Sequence, residues 1–115
     1  MGAFGSGKKV PKGDPGRRGF GTKMAKYLDA KELRCISERR DGVECVLAHG
    51  GVIAYKNKKL YLVDDSGSVL FSCVAEHMNS GELMSLEGVV IDAVDAESGN
   101  MRHMIAYYKY WRPLD

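Results

Sequence analysis

The chain has 115 residues, about the length of one domain, and its 17 Lys and Arg against 15 Asp and Glu give a net charge of +2. It has no apolar run near the ~18 residues that a membrane span needs, and no secretory signal follows Met1. The sequence therefore predicts a cytoplasmic protein with no membrane contact, whose three cysteines are reduced thiols.

Charge and glycine are unevenly distributed along the chain. Residues 1–26 carry seven basic side chains and one acidic side chain, a net charge of +6, whereas the remainder carries ten basic and fourteen acidic side chains. Seven of the 14 glycines lie within the first 21 residues, among few large apolar groups. Such a composition cannot bury enough surface to offset the entropy of ordering. Residues 1–22 are therefore predicted to be a disordered basic tail, and residues 23–115 a single small β-rich domain.

The first predicted element is a short helix over residues 23–31. Met24, Tyr27 and Leu28 are spaced at i, i+3 and i+4 and would share one helix face, and Thr22 stands where an N-cap is expected. Because a helix of two to three turns is marginal alone, we expect this one to dock on the domain.

From residue 33 onward the apolar period changes from about 3.6 to 2, which indicates strands. Turns are predicted at residues 38–42, which end in an Asp-Gly pair, at residues 57–58, at residues 64–67, and at His49-Gly50-Gly51, where two glycines favour a tight reversal. The short loops leave no space for crossover helices. The predicted fold is mainly β: an antiparallel meander of about six or seven strands that forms a small partly open barrel or a two-layer sheet. The strands are predicted over residues 33–37, 43–48, 52–56, 60–63, 69–74, 89–94 and 101–111, with residues 76–87 either helix or strand.

Patterns that would indicate catalysis or a metal site are incomplete. Residues 2–9 match a phosphate-binding loop, but Lys9 replaces the Mg²⁺-binding hydroxyl and no strand precedes the segment. Cys73 and His77 have a spacing that suits zinc, yet the other cysteines form no second close pair, which favours core filling. No motif links a histidine to a nucleophile. The sequence therefore predicts a protein that is not an enzyme and has no cofactor and no metal.

The last predicted strand is rich in aromatic residues. Alternation would place Tyr107 and Trp111 on one side of it and Tyr108 and Tyr110 on the other. One set is expected to be core, and the other would present rings beside cations, an arrangement that can stack on bases. The alternative is that both faces are covered, as in a strand that closes a barrel.

The basic tail suits an arm that lies along the phosphates of RNA or DNA, since such attraction needs no sequence specificity. The alternatives are a solvated tail and a tail that binds the acidic body of its own domain. The residues predicted to contact nucleic acid are Lys8, Lys9, Lys12, Arg17, Arg18, Lys23, Tyr108, Tyr110 and Trp111.

Two functional hypotheses follow from these patterns. In the first, the chain is a non-enzymatic accessory protein whose tail contacts nucleic acid or a ribonucleoprotein, and at least two aromatic side chains of residues 107–111 are exposed where the tail emerges. In the second, the β-domain is an interaction module for a protein partner, with an unpaired strand edge or apolar patch remote from the tail. A small-ligand site inside the barrel is set aside, because side chains fill a barrel of this size.

Overall fold

The computed structural model describes residues 20–110. In this part of the chain no helix combines the length and apolar character required to cross a membrane. The described residues form one α-helix, eight strands and a short 3₁₀ turn at Ala75–His77. The elements are α1 (Phe20–Leu28), β1 (Glu32–Arg40), β2 (Val43–Ala48), β3 (Gly51–Lys56), β4 (Lys59–Asp64), β5 (Val69–Val74), β6 (Asn79–Glu82), β7 (Gly88–Val94) and β8 (Met101–Tyr108).

All eight strands belong to one antiparallel sheet. Its order is β5-β4-β3-β1-β8-β7-β6, with β2 beside β1, and the sheet is not closed. The prediction of a mainly β, antiparallel fold with one short helix is therefore confirmed. The ambiguous segment at residues 76–87 contributes the end of the 3₁₀ turn and the short strand β6. The prediction of a disordered tail falls on residues that lie outside the described part of the chain, apart from the helical residues 20–22.

Strands β2 and β3 follow one another along the same edge of β1. Ile36 pairs with Ala48 of β2, and Leu33 pairs with Gly51 of β3, with both strands antiparallel to β1. The chain therefore keeps its direction through residues 49–51 and only bends there. The tight reversal predicted at this point is wrong.

The two glycines permit this bend rather than a turn. Gly50 and Gly51 have φ angles of 157° and 151°, which side chains rarely adopt. A Cβ on Gly50 would overlap the Asp65 carboxylate, and a Cβ on Gly51 would overlap the Val63 carbonyl oxygen. Glycine at both positions therefore lets the extended chain pass close to the end of β4, with which β3 pairs.

The gap between the outer strands β5 and β6 is bridged in two ways. The Ala96 amide donates to the Ser72 carbonyl of β5 at 2.8 Å, which ties the β7–β8 loop to the far edge of the sheet. Helix α1 contacts the 3₁₀ turn, β3 and β6, and so covers the end of the same gap. The result is a partly open barrel whose core lies between the curved sheet and α1.

Helix α1 begins three residues before its predicted start. Gly21 is buried, and a Cβ there would overlap the Ala75 carbonyl oxygen, so only glycine lets the first turn dock on the 3₁₀ turn. The helix ends before Ala30, whose φ is 72°. Met24 and Leu28 are buried as predicted, but Tyr27 is 54% exposed.

The buried core comprises Met24, Ala25, Leu28, Leu33, Ile36, Ile53, Leu60, Leu62, Phe71, Cys73, Ala75, Met78, Val89, Ile91, Ala93, Met104, Ala106 and Tyr108.

A buried ion network joins three parts of the sheet. Arg102 of β8 donates to both carboxylate oxygens of Glu38 on β1, at 3.0 and 2.7 Å, and to Asp95 in the β7–β8 loop at 2.9 Å. Its guanidinium also donates to the Leu70 carbonyl at 3.0 Å. Because Glu38 and Asp95 are only 5% and 4% exposed, these bonds supply the partners that buried carboxylates require.

Candidate nucleic-acid interface

The solvent side of α1 carries two cations and one aromatic ring. Lys23, Lys26 and Tyr27 are exposed, and their spacing places them on one side of the helix. The opposite side, with Met24 and Leu28, faces the core. The amphipathic pattern that buries α1 therefore also fixes where these three polar side chains point.

The β3–β4 turn places more lysines beside the start of α1. Lys58 and its neighbours in the turn are exposed, and the Ala75 amide donates to the Lys58 carbonyl at 3.0 Å. Gly21 packs on the carbonyl of the same Ala75. The turn therefore lies next to the first turn of the helix, where the chain preceding residue 20 enters the domain.

The far end of α1 carries a second group of cations and rings. The Lys31 ammonium lies 4.6 Å from the centre of the Tyr27 ring. The Lys109 amide donates to the Glu32 carbonyl at 2.8 Å, and its ammonium lies 5.5 Å from the centre of the Tyr110 ring, which is 73% exposed. We name this side of the domain the lysine–tyrosine surface: Lys23, Lys26, Tyr27, Lys31, Lys56, Lys58, Lys59, Lys109 and Tyr110.

Most cations of the lysine–tyrosine surface are not neutralised. The ion pairs within residues 20–110 use arginines, His103 and Lys109, whose ammonium lies 3.7 Å from Glu32. Nearby, the Asp29 carboxylate accepts the Tyr55 amide at 2.8 Å, and Glu76 is exposed on the 3₁₀ turn. Five exposed lysines of the surface have no carboxylate within ion-pair distance in residues 20–110: Lys23, Lys26, Lys56, Lys58 and Lys59.

Tyr108 lies in the core and not on this surface. It is 5% exposed, and its hydroxyl donates to Glu82 at 2.6 Å. Burial, followed by the hydrogen bond to Glu82, raises the pKa of the Tyr108 hydroxyl well above its ordinary value. The ring is therefore not available to stack on a base, in contrast to its predicted role.

Tyr107 lies on the other face of the sheet. Its hydroxyl donates to Glu44 at 2.6 Å, and this hydrogen bond, with burial, raises the pKa of Tyr107 to about 12. Of the aromatic residues 107–110, which the structure describes, only Tyr110 is mostly exposed. The exposure of two such rings, which the nucleic-acid hypothesis predicts, would need Trp111, which lies beyond the described residues.

The structure brings Lys23 and Tyr110 to the two ends of α1, on one surface. Lys8, Lys9, Lys12, Arg17, Arg18 and Trp111 lie outside residues 20–110, so their predicted role stays a prediction. Sequence reasoning missed Tyr27 and the three lysines of residues 56–59. The Lys-Asn-Lys-Lys run was visible in the sequence, but its proximity to α1 depends on the 3₁₀ turn.

The cysteines fit a packing role better than a reactive one. Cys73 is 1% exposed, and burial, with the charge of Asp95, raises its pKa to about 12, so the thiol stays protonated. Within the described residues no three His, Cys, Asp or Glu side chains converge as metal ligands. Cys35 and Cys45 are half-buried on the paired strands β1 and β2.

Comparison with known proteins adds no assignment. No protein-family model, curated protein or solved structure matches this chain.

Proposed function

We propose that this protein is a non-enzymatic accessory that binds RNA or DNA through its basic tail and the lysine–tyrosine surface. The observation that carries the proposal is the position of the five unpaired lysines. Three of them, in the β3–β4 turn, lie beside the first turn of α1, the end of the helix to which the basic residues 1–19 are joined in sequence.

The chemistry of this surface suits single-stranded nucleic acid. Ammonium groups attract phosphates without reading sequence, and their binding releases counterions. Tyr27 and Tyr110 are exposed among these cations. Stacking of a base on an exposed aromatic ring contributes about 1–3 kcal/mol of binding free energy per base. Tyr27, in the last turn of α1, and Tyr110, which follows the Lys109 amide bonded to the Glu32 carbonyl, both lie near the C-terminal end of the helix.

The experiment is a binding titration of poly(U) and poly(dT) by the full chain and by variants at Lys56, Lys58 and Lys59. Changing all three lysines to Gln is expected to weaken binding at low salt by about tenfold and to reduce the salt slope by about 2. The matched control changes the same three lysines to Arg, which keeps the charge and is expected to keep the affinity.

A second pair of variants separates stacking from charge. Tyr27→Ala is expected to weaken binding by roughly tenfold, whereas Tyr27→Phe, which keeps the ring, is expected to bind as the natural chain does. If the Gln triple variant binds as tightly as the Arg triple variant, the lysine–tyrosine surface is not the interface and the proposal fails.

One observation favours a second candidate, a module that binds a protein partner. Among the strands of residues 20–110, β2 pairs only with β1, which leaves its other edge unpaired there, and Val43 and Val46 of β2 are 61% and 52% exposed. A partner strand could pair along this edge. Val46→Lys, which blunts such an edge, would then abolish capture of the partner without affecting nucleic-acid binding.

A further inference from the structure

The sheet face that points away from the core carries a groove across strands β1, β8 and β7. Its floor is a row of cross-strand neighbours: Ser37 pairs with Ile105, and Ile105 pairs with Val90. Val90 in turn pairs with Gly81 of β6, which has no side chain to close the groove at that end. The floor of the groove therefore consists of apolar or small residues all the way from β1 to β6.

The groove is deep enough to enclose part of a ligand. Ile105 is 4% exposed, although it lies outside the core cluster. Tyr107 and Leu83 line one side of a cavity of about 350 Å³ above Ile105. A second cavity of about 360 Å³ shares Val90 with it and extends toward β6. These volumes are in the usual range for small-molecule sites.

The other side of the groove is a row of charged groups. Arg39 pairs with Glu44 in the β1–β2 register, and His103 pairs with Asp92 in the β7–β8 register. All four of these side chains, together with Ile105, line the cavity that lies above Ile105. A cation thus stands between two carboxylates beside an apolar floor.

The hydrogen bonds within this row leave specific atoms without partners. The Glu44 carboxylate accepts the Tyr107 hydroxyl through Oε2, and the Asp92 carboxylate contacts Nδ1 of His103 at 2.9 Å through Oδ1. Asp92 Oδ2 has no hydrogen-bond partner within residues 20–110, and neither has the exposed Arg39 guanidinium. One free donor group and one free anionic acceptor therefore flank the same apolar floor.

We propose that this groove binds a free α-amino acid with an apolar side chain. Its carboxylate would take a charge-assisted pair of hydrogen bonds from Arg39, its ammonium would donate to Asp92, and its side chain would lie over Ile105 and Val90. Strands β1 and β7 flank β8 and are therefore about 10 Å apart, so the ligand would reach from Arg39 to Asp92 over His103 of β8, whose ring contacts the other oxygen of Asp92.

The charge pattern argues against simpler ligands. A plain carboxylate or phosphate would meet Arg39 but would offer Asp92 no hydrogen-bond donor. A plain amine would leave Arg39 without a partner. The terminus of a peptide supplies either an ammonium or a carboxylate, but not both. An α-amino acid, which carries an ammonium and a carboxylate on the same carbon, is therefore the best match. The site lies on the opposite face of the sheet from the core that α1 covers, and it is independent of the proposed nucleic-acid function.

The test is an amide-resolved NMR titration of the full chain with L-leucine, compared with isocaproate, which lacks the ammonium, and leucinamide, which lacks the carboxylate. Saturable shifts at Val90, Asp92 and Ile105 are expected with leucine, and each analogue is expected to bind at least about tenfold more weakly because one charged contact is lost. Arg39→Gln and Asp92→Asn are expected to lose the leucine response. Glu97→Gln, which removes an exposed charge that does not line the groove, is expected to keep it.

Two results would overturn the proposal. One is a dissociation constant for leucine weaker than about 10 mM, with no saturation at the groove. The other is equal affinity for leucine and isocaproate, which would mean that Asp92 does not recognise an ammonium. The analogue series needs no variant, so it decides the question even if a substitution disturbs the fold.

Discussion

The guanidinium of Arg102 forms a two-pronged contact with the carboxylate of Glu38, from Nε to Oε2 at 3.0 Å and from Nη2 to Oε1 at 2.7 Å. This pair joins β8 to β1 near the centre of the sheet. Burial alone would raise the pKa of Asp95, but hydrogen bonds from Arg102 and from the Glu97 amide outweigh it and hold that pKa below its ordinary value. One arginine therefore keeps two buried carboxylates charged.

Removing this arginine is expected to destabilise the fold strongly. Arg102→Met leaves Glu38 and Asp95 buried without a counter-charge, which costs about 3–5 kcal/mol in the free energy of unfolding. Urea unfolding followed by circular dichroism measures the change. The control is Lys109→Met, which removes an exposed ion pair with Glu32 at 3.7 Å and is expected to cost less than about 1 kcal/mol. Equal effects of the two variants would contradict the account of the network.

The same pair predicts a loss of stability in acid. The hydrogen bond from Arg102 lowers the pKa of Glu38 from 4.5 to about 2. A carboxyl whose pKa is lower in the folded state stabilises the fold fully above its unfolded pKa, and that stabilisation is lost as the pH falls through the folded value. Stability is therefore expected to decline between about pH 4.5 and pH 2, by roughly 2–3 kcal/mol from this group. Urea midpoints across this range test the prediction, and Glu38→Gln should flatten the decline.

Gly21 offers a test of how α1 docks. Alanine is the better helix former by about 1 kcal/mol, so Gly21→Ala would stabilise a free helix. In this fold its Cβ would overlap the Ala75 carbonyl oxygen, a backbone atom that cannot move aside, and the substitution is expected to cost about 1–3 kcal/mol. Lys23→Ala, on the exposed side of the same helix, is the control and is expected to be nearly neutral. A stabilising effect at Gly21 would mean that the helix does not pack on the 3₁₀ turn.

Local turn chemistry accounts for the parts of the fold that the sequence predicts well. Asp41 and Gly42 have φ angles of 50° and 79°, as a two-residue hairpin turn requires, and the Asp-Gly pair signals this directly. The glycines at residues 50–51 give the same local signal but serve a bent strand. Only the pairing of residues 48 and 51 with β1 distinguishes a bent strand from a turn here. That pairing is between residues far apart in the sequence, so local sequence patterns do not reveal it. The sequence leaves residues 76–87 as either helix or strand because residues 79–82 lack an apolar alternation, and strand β6 there is ordered by its pairing with β7.

The candidate interface was predictable only in part, for a similar reason. Alternation separated Tyr107 from Tyr108 correctly, but it could not say which of them is core. That choice follows from the register, which places Tyr108 opposite Leu33 on the inner face. Tyr27 was assigned to the buried side of the helix because its spacing fits Met24 and Leu28. The helix covers only the end of the barrel, so its buried stripe is too narrow to include Tyr27.

The most direct test of nucleic-acid binding is the salt dependence of poly(U) affinity for the full chain and for a variant that lacks residues 1–19. Those residues carry five basic side chains and one acidic side chain, a net charge of +4. Their removal is expected to reduce the slope of log affinity against log salt by about 3, leaving a weaker dependence from the lysine–tyrosine surface. If both forms show the same slope, or neither binds at low salt, nucleic-acid binding through the tail and this surface is contradicted.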